Sequence, residues 1–255
     1  MNKKQLARNF SRCAPVYDKY ANIQAFAAME LIRELPCGDC KRILEIGCGT
    51  GSYTRLLRER FKHAAIESVD IAEKMVELAR QKLKDSEVKF SVEDAEKMKL
   101  DSGYDLVTSN AAIQWFESPG KAIRSYRKAL NSGGILAFSV FGPLTFKELG
   151  NALGRVMTGH GLSVASRGFL SKEALEKMLA KFFRKVSVRE ALIKEELPCL
   201  AGLLEKIKYT GVRGLSLNSH FVWSRRLLRI IEDAYKKEYG RIIATYQVFL
   251  CKAII

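Results

Sequence analysis

The chain has 255 residues, 47% of them apolar, and its 43 lysines and arginines against 28 aspartates and glutamates give a net charge of +15. This length fits one sizeable α/β core in an ordinary globular protein, and no stretch approaches the 18 uninterrupted apolar residues of a membrane span. The charge favours an acidic partner (nucleic acid, an anionic membrane or an acidic protein) over a basic one, although scattered solvated lysines would give the same sum.

The opening Met1-Asn2-Lys3-Lys4-Gln5 carries charge without an apolar run behind it, which predicts a cytoplasmic protein. Its six cysteines are then expected as thiols. Cys37 and Cys40 form a lone C-x-x-C pair, and His63, His160 and His220 are scattered, so no metal centre is expected.

In chain order, Leu6, Phe10 and Ala14 recur every fourth residue until Pro15, predicting a short amphipathic helix. A second helix has Ile23, Phe26, Ala27 and Leu31 on one face and is closed by Pro36 and Gly38. Tyr17 and Tyr20 lie between them, as packing residues or as part of a lid. From Ile43 strands and helices alternate, the signature of a parallel sheet with right-handed crossovers. The predicted strands are 43–46, 64–69, 88–92, 104–110 and 135–141. The helices between them carry Tyr53, Leu56, Leu57 and Phe61, then Met75, Leu78, Ala79 and Leu83, and finally the span 119–130.

Beyond Pro143 the alternation loosens. Residues 144–170 hold one helical pattern and a Gly-rich patch around Gly159 and Gly161, suggesting a mobile cover more than sheet core. A helix over 172–183 and a strand over 185–189 follow, then a helical insertion over 198–239 and a last strand over 243–250. The chain is expected to be a single domain over residues 1–255. Within it lie a helical lid (1–38), a cofactor-binding core (39–142) and two substrate covers (143–170 and 198–240).

The glycine-rich turn Gly47-Cys48-Gly49-Thr50-Gly51 after the first strand is where such a sheet holds a nucleotide, and it suits NAD, FAD or S-adenosylmethionine. The G-x-G-x-x-G spacing of dinucleotide sites is broken, because the third glycine comes one residue early. Asp70 stands nineteen residues after Gly51 at the end of the second strand, placed to accept from both ribose hydroxyls. Asp94 follows the third strand, placed to accept from an adenine amino group while the Ala95 N–H faces the ring.

Glu45 to Gly51, Asp70, Asp94-Ala95, Tyr104-Asp105-Leu106-Val107 and Leu130-Asn131-Ser132-Gly133-Gly134 resemble the successive motifs of class I S-adenosylmethionine-dependent methyltransferases. The resemblance implies a Rossmann-like sheet of seven mostly parallel strands with an antiparallel final pair and helices on both faces. It also implies a cofactor set of Glu45, Gly47, Cys48, Gly49, Gly51, Asp70, Ile71, Asp94, Ala95 and Asn110. Glu45 and the Asn110 backbone would hold the methionine portion. Ala72 departs from the serine that often caps the next helix, a loss of about 1 kcal/mol.

Three further stretches resemble one subfamily, the malonyl-acyl-carrier-protein O-methyltransferases of biotin synthesis: Phe10 to Asp18, Ser109 to Trp115 and Gly240 to Val248. Lys208-Tyr209-Thr210-Gly211 falls where that group carries a basic residue and a glycine. Ile243 and Gln247 depart from it, standing where the group commonly has a proline and often an acid. The resemblance implies methyl esterification of the malonyl group of an acidic acyl carrier protein by a monomer, with S-adenosyl-L-homocysteine as product and no nucleic acid or membrane as partner.

A malonyl carboxylate is already ionised at neutral pH and needs no general base. Candidates to grip it are Lys208, Arg213 and Arg241 with Gln114, and Tyr17 and Trp115 are candidates to orient it. Arg225, Arg226, Arg229, Lys236 and Lys237 share a helical segment that could steer an acidic carrier. Competing readings are a carboxyl methyltransferase of a free acid such as trans-aconitate, an RNA or quinone methylase, and a non-enzymatic cofactor-binding scaffold.

Overall fold

The computed structural model describes residues 2–35, 40–157, 164–210 and 224–255. Pro36, Cys37, Gly38, Gly159, His160, Gly161, Arg213 and His220 lie outside the described residues. The core is a seven-stranded sheet of order β3-β2-β1-β4-β5-β7-β6. Its strands are β1 (Arg42–Ile46), β2 (Ala65–Asp70), β3 (Val88–Val92), β4 (Tyr104–Asn110), β5 (Leu130–Phe141), β6 (Lys185–Leu197) and β7 (Ile242–Ile254). Strands β1 to β5 pair in parallel, and β7 runs antiparallel to both of its neighbours, β5 and β6.

Successive residues of β1 serve opposite faces, as the pleat requires. Ile43 packs with Leu31, Leu57 and Ile66 beneath α3 (Asn22–Glu34) and α4 (Ser52–Arg60). Leu44 packs with Ile123, Tyr126, Phe138 and Leu179 beneath α6 (Pro119–Ala129) and α8 (Lys172–Ala180). Covering both faces explains why β1 and β4 carry neighbouring apolar residues that point to opposite sides, Ile43 and Leu44 in one and Leu106 and Val107 in the other.

The remaining helices gather at the C-terminal edge of the parallel strands, where α/β sheets hold ligands. At one end α1 (Lys3–Cys13) and α2 (Tyr17–Tyr20) lie beside α5 (Glu73–Lys82), with Phe10, Ala14 and Tyr17 packed on Ala72 and Met75. At the other end α7 (Lys147–Val156), α9 (Leu200–Tyr209) and α10 (Arg225–Tyr239) share an apolar cluster with the start of β7.

Several expectations need correction. Phe26 is 40% exposed, whereas Ile23, Ala27, Ala28, Leu31 and Ile32 are buried. The buried stripe of α3 follows i,i+4 steps from Ile23 and drifts toward Ala28 and Ile32, which leaves Phe26 on its outer edge. The strand expected over 185–189 continues to Leu197 in unbroken register with β7, down to Leu197 opposite Ile242. Residues 147–156 are packed rather than loose: Leu149, Ala152 and Leu153 are fully buried, and the Glu148 carboxylate accepts from the Thr245 N–H at 3.0 Å and from the Thr245 hydroxyl.

Candidate cofactor and acceptor site

The glycine turn is shaped by backbone demands. Gly47, Gly49 and Gly51 have φ of 73°, 52° and 85°, the left-handed region that side chains avoid. A Cβ on Gly47 would also meet the Ala112 Cβ at 2.3 Å. The N–H groups of Gly47 and Cys48 donate to the Val69 carbonyl at 2.8 and 3.0 Å, tying the turn to the end of β2. One residue on, the Asp70 carboxylate accepts from the Gly49 N–H at 2.9 Å and the Ala72 N–H at 2.8 Å. Asp70 therefore pins the loop and ties down the N-cap residue Ala72, while the first-turn N–H groups of α5 keep no side-chain cap and have only the charge of Glu73 near them. Its burial raises its pKa, against the pull of those N–H groups.

Asp70 opens onto a cleft of about 680 Å³ lined by Gly47, Gly49, Ile71, Asp94, Ala95, Asn110, Tyr17 and Trp115, so nine of the residues expected from sequence share one cavity. Cys48 lines an adjoining pocket with Thr50, Tyr17 and Asn110, and Gly51 is the N-cap of α4. Glu45 lines neither pocket. It is wholly buried under the turn, where one carboxylate oxygen accepts from Thr54 and Ser68 hydroxyls at 2.7 Å. Its other oxygen has no hydrogen-bond partner among the described residues. Burial pushes the Glu45 carboxyl up to about 7, with the nearby charge of Asp70 adding to the effect.

The cleft is roofed by the N-terminal helices. Lys3 forms ion pairs with Asp94 and Glu96 and lies 5.4 Å from the centre of the Phe116 ring, closing the far end. Burial pulls the Lys3 pKa down, but the two carboxylates outweigh it and the net shift is upward. Asp18 accepts from the Thr50 hydroxyl at 2.5 Å and pairs with Lys82, clipping α2 to the glycine turn. Between the clips, Phe10 stands edge-on to Tyr17 and Trp115 at 6.4 and 6.3 Å. Burial, then the charges of Asp70 and Asp18, raise the Tyr17 pKa, so the phenol stays protonated.

The backbone after β4 is strained at the cleft. Ala111 has φ 52°, and its N–H donates to the Ser139 carbonyl and hydroxyl at 3.0 and 2.9 Å. Gln114 does not reach either cavity; its amide donates to the Ala111 carbonyl at 2.7 Å and braces that turn. The Asn110 side chain, expected to matter only through its backbone, donates to the Gln24 carbonyl at 3.0 Å and accepts from Ser139 at 2.6 Å.

A second, mostly apolar cavity of about 500 Å³ lies between the end of β5, the turn before α7, α9 and β7, with Phe141, Phe146, Phe169 and Tyr246 among its walls. Phe169 meets Trp115 edge-on at 5.4 Å, so an aromatic partition separates it from the cofactor cleft. The cation on its wall is Lys206, not Lys208. Lys206 is 8% exposed, holds both Glu195 oxygens at 2.5 Å and lies 5.6 Å from the Tyr246 ring centre. Lys208 stands two residues on, about 200° around the helix, and is exposed over the Tyr209 ring. Arg241 is also exposed, pairing with Glu196 at the sheet edge. Both lie away from the cavities on which sequence reasoning placed them. Lys3, Asp18, Gln24 and Lys206 were missed, because each meets its partners only through contacts distant in sequence.

A methyltransferase-domain family profile matches residues 44–138, the part of the chain that carries the glycine turn and both acids. A malonyl-[acyl-carrier protein] O-methyltransferase of Bacillus cytotoxicus is 35% identical over 96% of this chain and 90% of its own length. The chain belongs to the malonyl-[acyl-carrier protein] O-methyltransferase family. A second member, from Priestia megaterium, is 33% identical over 98% of this chain and 97% of its own length. Among solved structures, the YcgJ protein of Bacillus subtilis has the same fold, with a TM-score of 0.62 at 17% identity over 90% of this chain and 97% of that one.

Gln247, a departure from the family's closing motif, has a local explanation here. Its amide accepts from the Leu144 N–H at 2.9 Å and donates to Glu190 at 2.6 Å, a pairing that an ionised acid could not make. Among the described residues no helix is long and apolar enough to cross a membrane, and no group of three His, Cys, Asp or Glu side chains could hold a metal ion.

Proposed function

We propose that the protein methylates the free carboxylate of a malonyl group carried on acyl carrier protein, the esterification that belongs to early biotin synthesis. The observation that carries this reading is Asp70 and Asp94, two carboxylates from successive strand ends facing the cleft of the glycine turn, in a chain of this family. When bound, S-adenosylmethionine supplies an electrophilic sulfonium methyl group. The acceptor carboxylate would arrive already ionised, so no residue of the site would have to remove a proton from it.

The residues of the cleft fit that cofactor. Asp70 keeps lone pairs for ribose hydroxyls after its two backbone bonds, and Asp94 with the Ala95 N–H suits an adenine edge. Ile71 and the glycines allow close approach. The second oxygen of Glu45 is buried without a partner among the described residues, an acceptor that a donor of the methionine portion would satisfy. Phe10, Tyr17 and Trp115 exclude water, which would otherwise weaken the attraction between carboxylate and sulfonium.

Residues 1–38 act as the lid in this reading, and 143–170 with 198–240 cover the acceptor. The exposed Arg225, Arg226 and Arg229 of α10 steer the acidic carrier to a monomeric, cytoplasmic enzyme, with neither nucleic acid nor membrane as partner. The test is labelled methyl transfer from S-adenosylmethionine to malonyl carrier protein, malonyl-CoA and free dicarboxylic acids in parallel. Transfer to malonyl carrier protein at the highest kcat/KM is expected, and no transfer to either malonyl thioester overturns the proposal.

A further inference from the structure

Gln24 lines both the apolar cavity and the pocket against the glycine turn, and no other described residue is common to the two. It projects from the first turns of α3, and its carbonyl is fixed by the Asn110 amide at 3.0 Å, which Ser139 braces in turn. Its side-chain amide has no hydrogen-bond partner among the described residues. The pocket against the glycine turn shares Tyr17, Gly47, Gly49 and Asn110 with the cofactor cleft, so a neutral donor between that pocket and the apolar cavity stands where a reacting carboxylate has to arrive.

We infer that the Gln24 side-chain amide binds and orients the acceptor carboxylate at the point of methyl transfer. This rests on the carboxyl-methylating function proposed above. A neutral amide suits the task better than a cation. It aligns one carboxylate oxygen through a hydrogen bond while leaving the anion nucleophilic, and it neither repels the sulfonium nor loses its donor when the carboxylate becomes an ester. The cation nearest to hand, Lys206, is already held by both oxygens of Glu195, whose carboxylate also accepts from Tyr246 at 3.0 Å and Asn22 at 3.0 Å. That closed group makes a neutral polar wall deeper in the same cavity, which fits the uncharged thioester arm and not a second carboxylate.

Replacing Gln24 by Met preserves length and removes the donor, whereas Gln24→Glu places a like charge against the acceptor. Binding to the full chain loaded with S-adenosylhomocysteine is measured for malonyl thioester and for its methyl ester, which lacks the charge. Met should weaken the malonyl thioester about tenfold to a hundredfold, as expected for a hydrogen bond to a charged group, and the ester by less than about threefold. Glu should weaken the malonyl thioester further and recover part of the loss as pH falls. Affinity for S-adenosylhomocysteine, measured alone, should stay within about twofold and reports that the fold is intact. Equal losses on thioester and ester, or no loss on either, overturn the assignment. If the unsubstituted protein binds and methylates no malonyl thioester, the functional reading has failed, not the role of Gln24 within it.

Discussion

Glu45 ties the fold to the cofactor site through its ionisation, and Glu45→Gln separates the two effects. Folded, the carboxyl is pushed up to about 7 by burial; unfolded, it titrates near its ordinary 4.5. Between those values the unfolded chain has already lost the proton that the folded chain keeps. Stability from this group is therefore greatest below pH 4.5 and falls as pH rises toward 7. At 1.36 kcal/mol per pH unit, the decline between pH 5 and pH 8 is about 2 to 3 kcal/mol. Gln cannot ionise, so the stability of the variant relative to the parent should rise by that amount over the same range. Fixed costs of the amide, such as an NH₂ group placed where the second oxygen has no partner, shift both ends equally and cancel in the difference. Urea unfolding of cofactor-free protein at pH 5, 6, 7 and 8 measures it. A difference between variant and parent that does not change with pH would refute the reasoning.

With cofactor present the sign should reverse: affinity for S-adenosylhomocysteine should fall as pH drops below about 7 in the parent and be weaker and flatter in Glu45→Gln, read by calorimetric titration. Gly47→Ala adds a Cβ 2.3 Å from that of Ala112 at φ 73°, so it should cost more than about 2 kcal/mol and abolish cofactor binding; Gly49→Ala meets nothing within 4 Å and should cost about 1 kcal/mol in thermal denaturation. Lys3→Met removes the clip on Asp94 and Glu96 and should speed S-adenosylhomocysteine dissociation about tenfold in stopped-flow chase, while Lys3→Arg should stay near the parent. Reversing Arg225, Arg226 and Arg229 to Glu should lower kcat/KM about tenfold on malonyl carrier protein at low salt and leave malonyl-CoA within twofold, since none of the three side chains is buried.

The cofactor half of the site was legible in the sequence because its parts are local. Positive φ demands glycine at 47, 49 and 51, and Asp70 at the end of β2 and Asp94 two residues past β3 reach the cleft from neighbouring strand ends. The acceptor half depends on helix phase and on pairs far apart in the chain. Lys3 and Asp94 are 91 residues apart, and nothing near Lys3 marks it as more than a solvated charge. On α9 Lys208 was expected to grip the acceptor, whereas Lys206 is the one on the cavity wall; without the packing of Ile207 and Leu203 the sequence held no basis for choosing it. Strand β6 was read at five of its thirteen residues because Leu192, Lys194 and Glu196 mix apolar and charged side chains on the edge strand of the sheet.

The same physics decides which positions can change the acceptor. Side chains that meet across the chain, such as Asn22 with Glu195 and Lys206 with Glu195, are tuned in pairs, so a change in one is felt through the other. The backbone contacts that hold the cofactor carry no such coupling to side-chain identity beyond glycine and two acids. A family built on this arrangement can keep its cofactor motif while its acceptor wall is rebuilt around α3, α7 and α9, and selectivity among carboxylates therefore has to be tested at that wall.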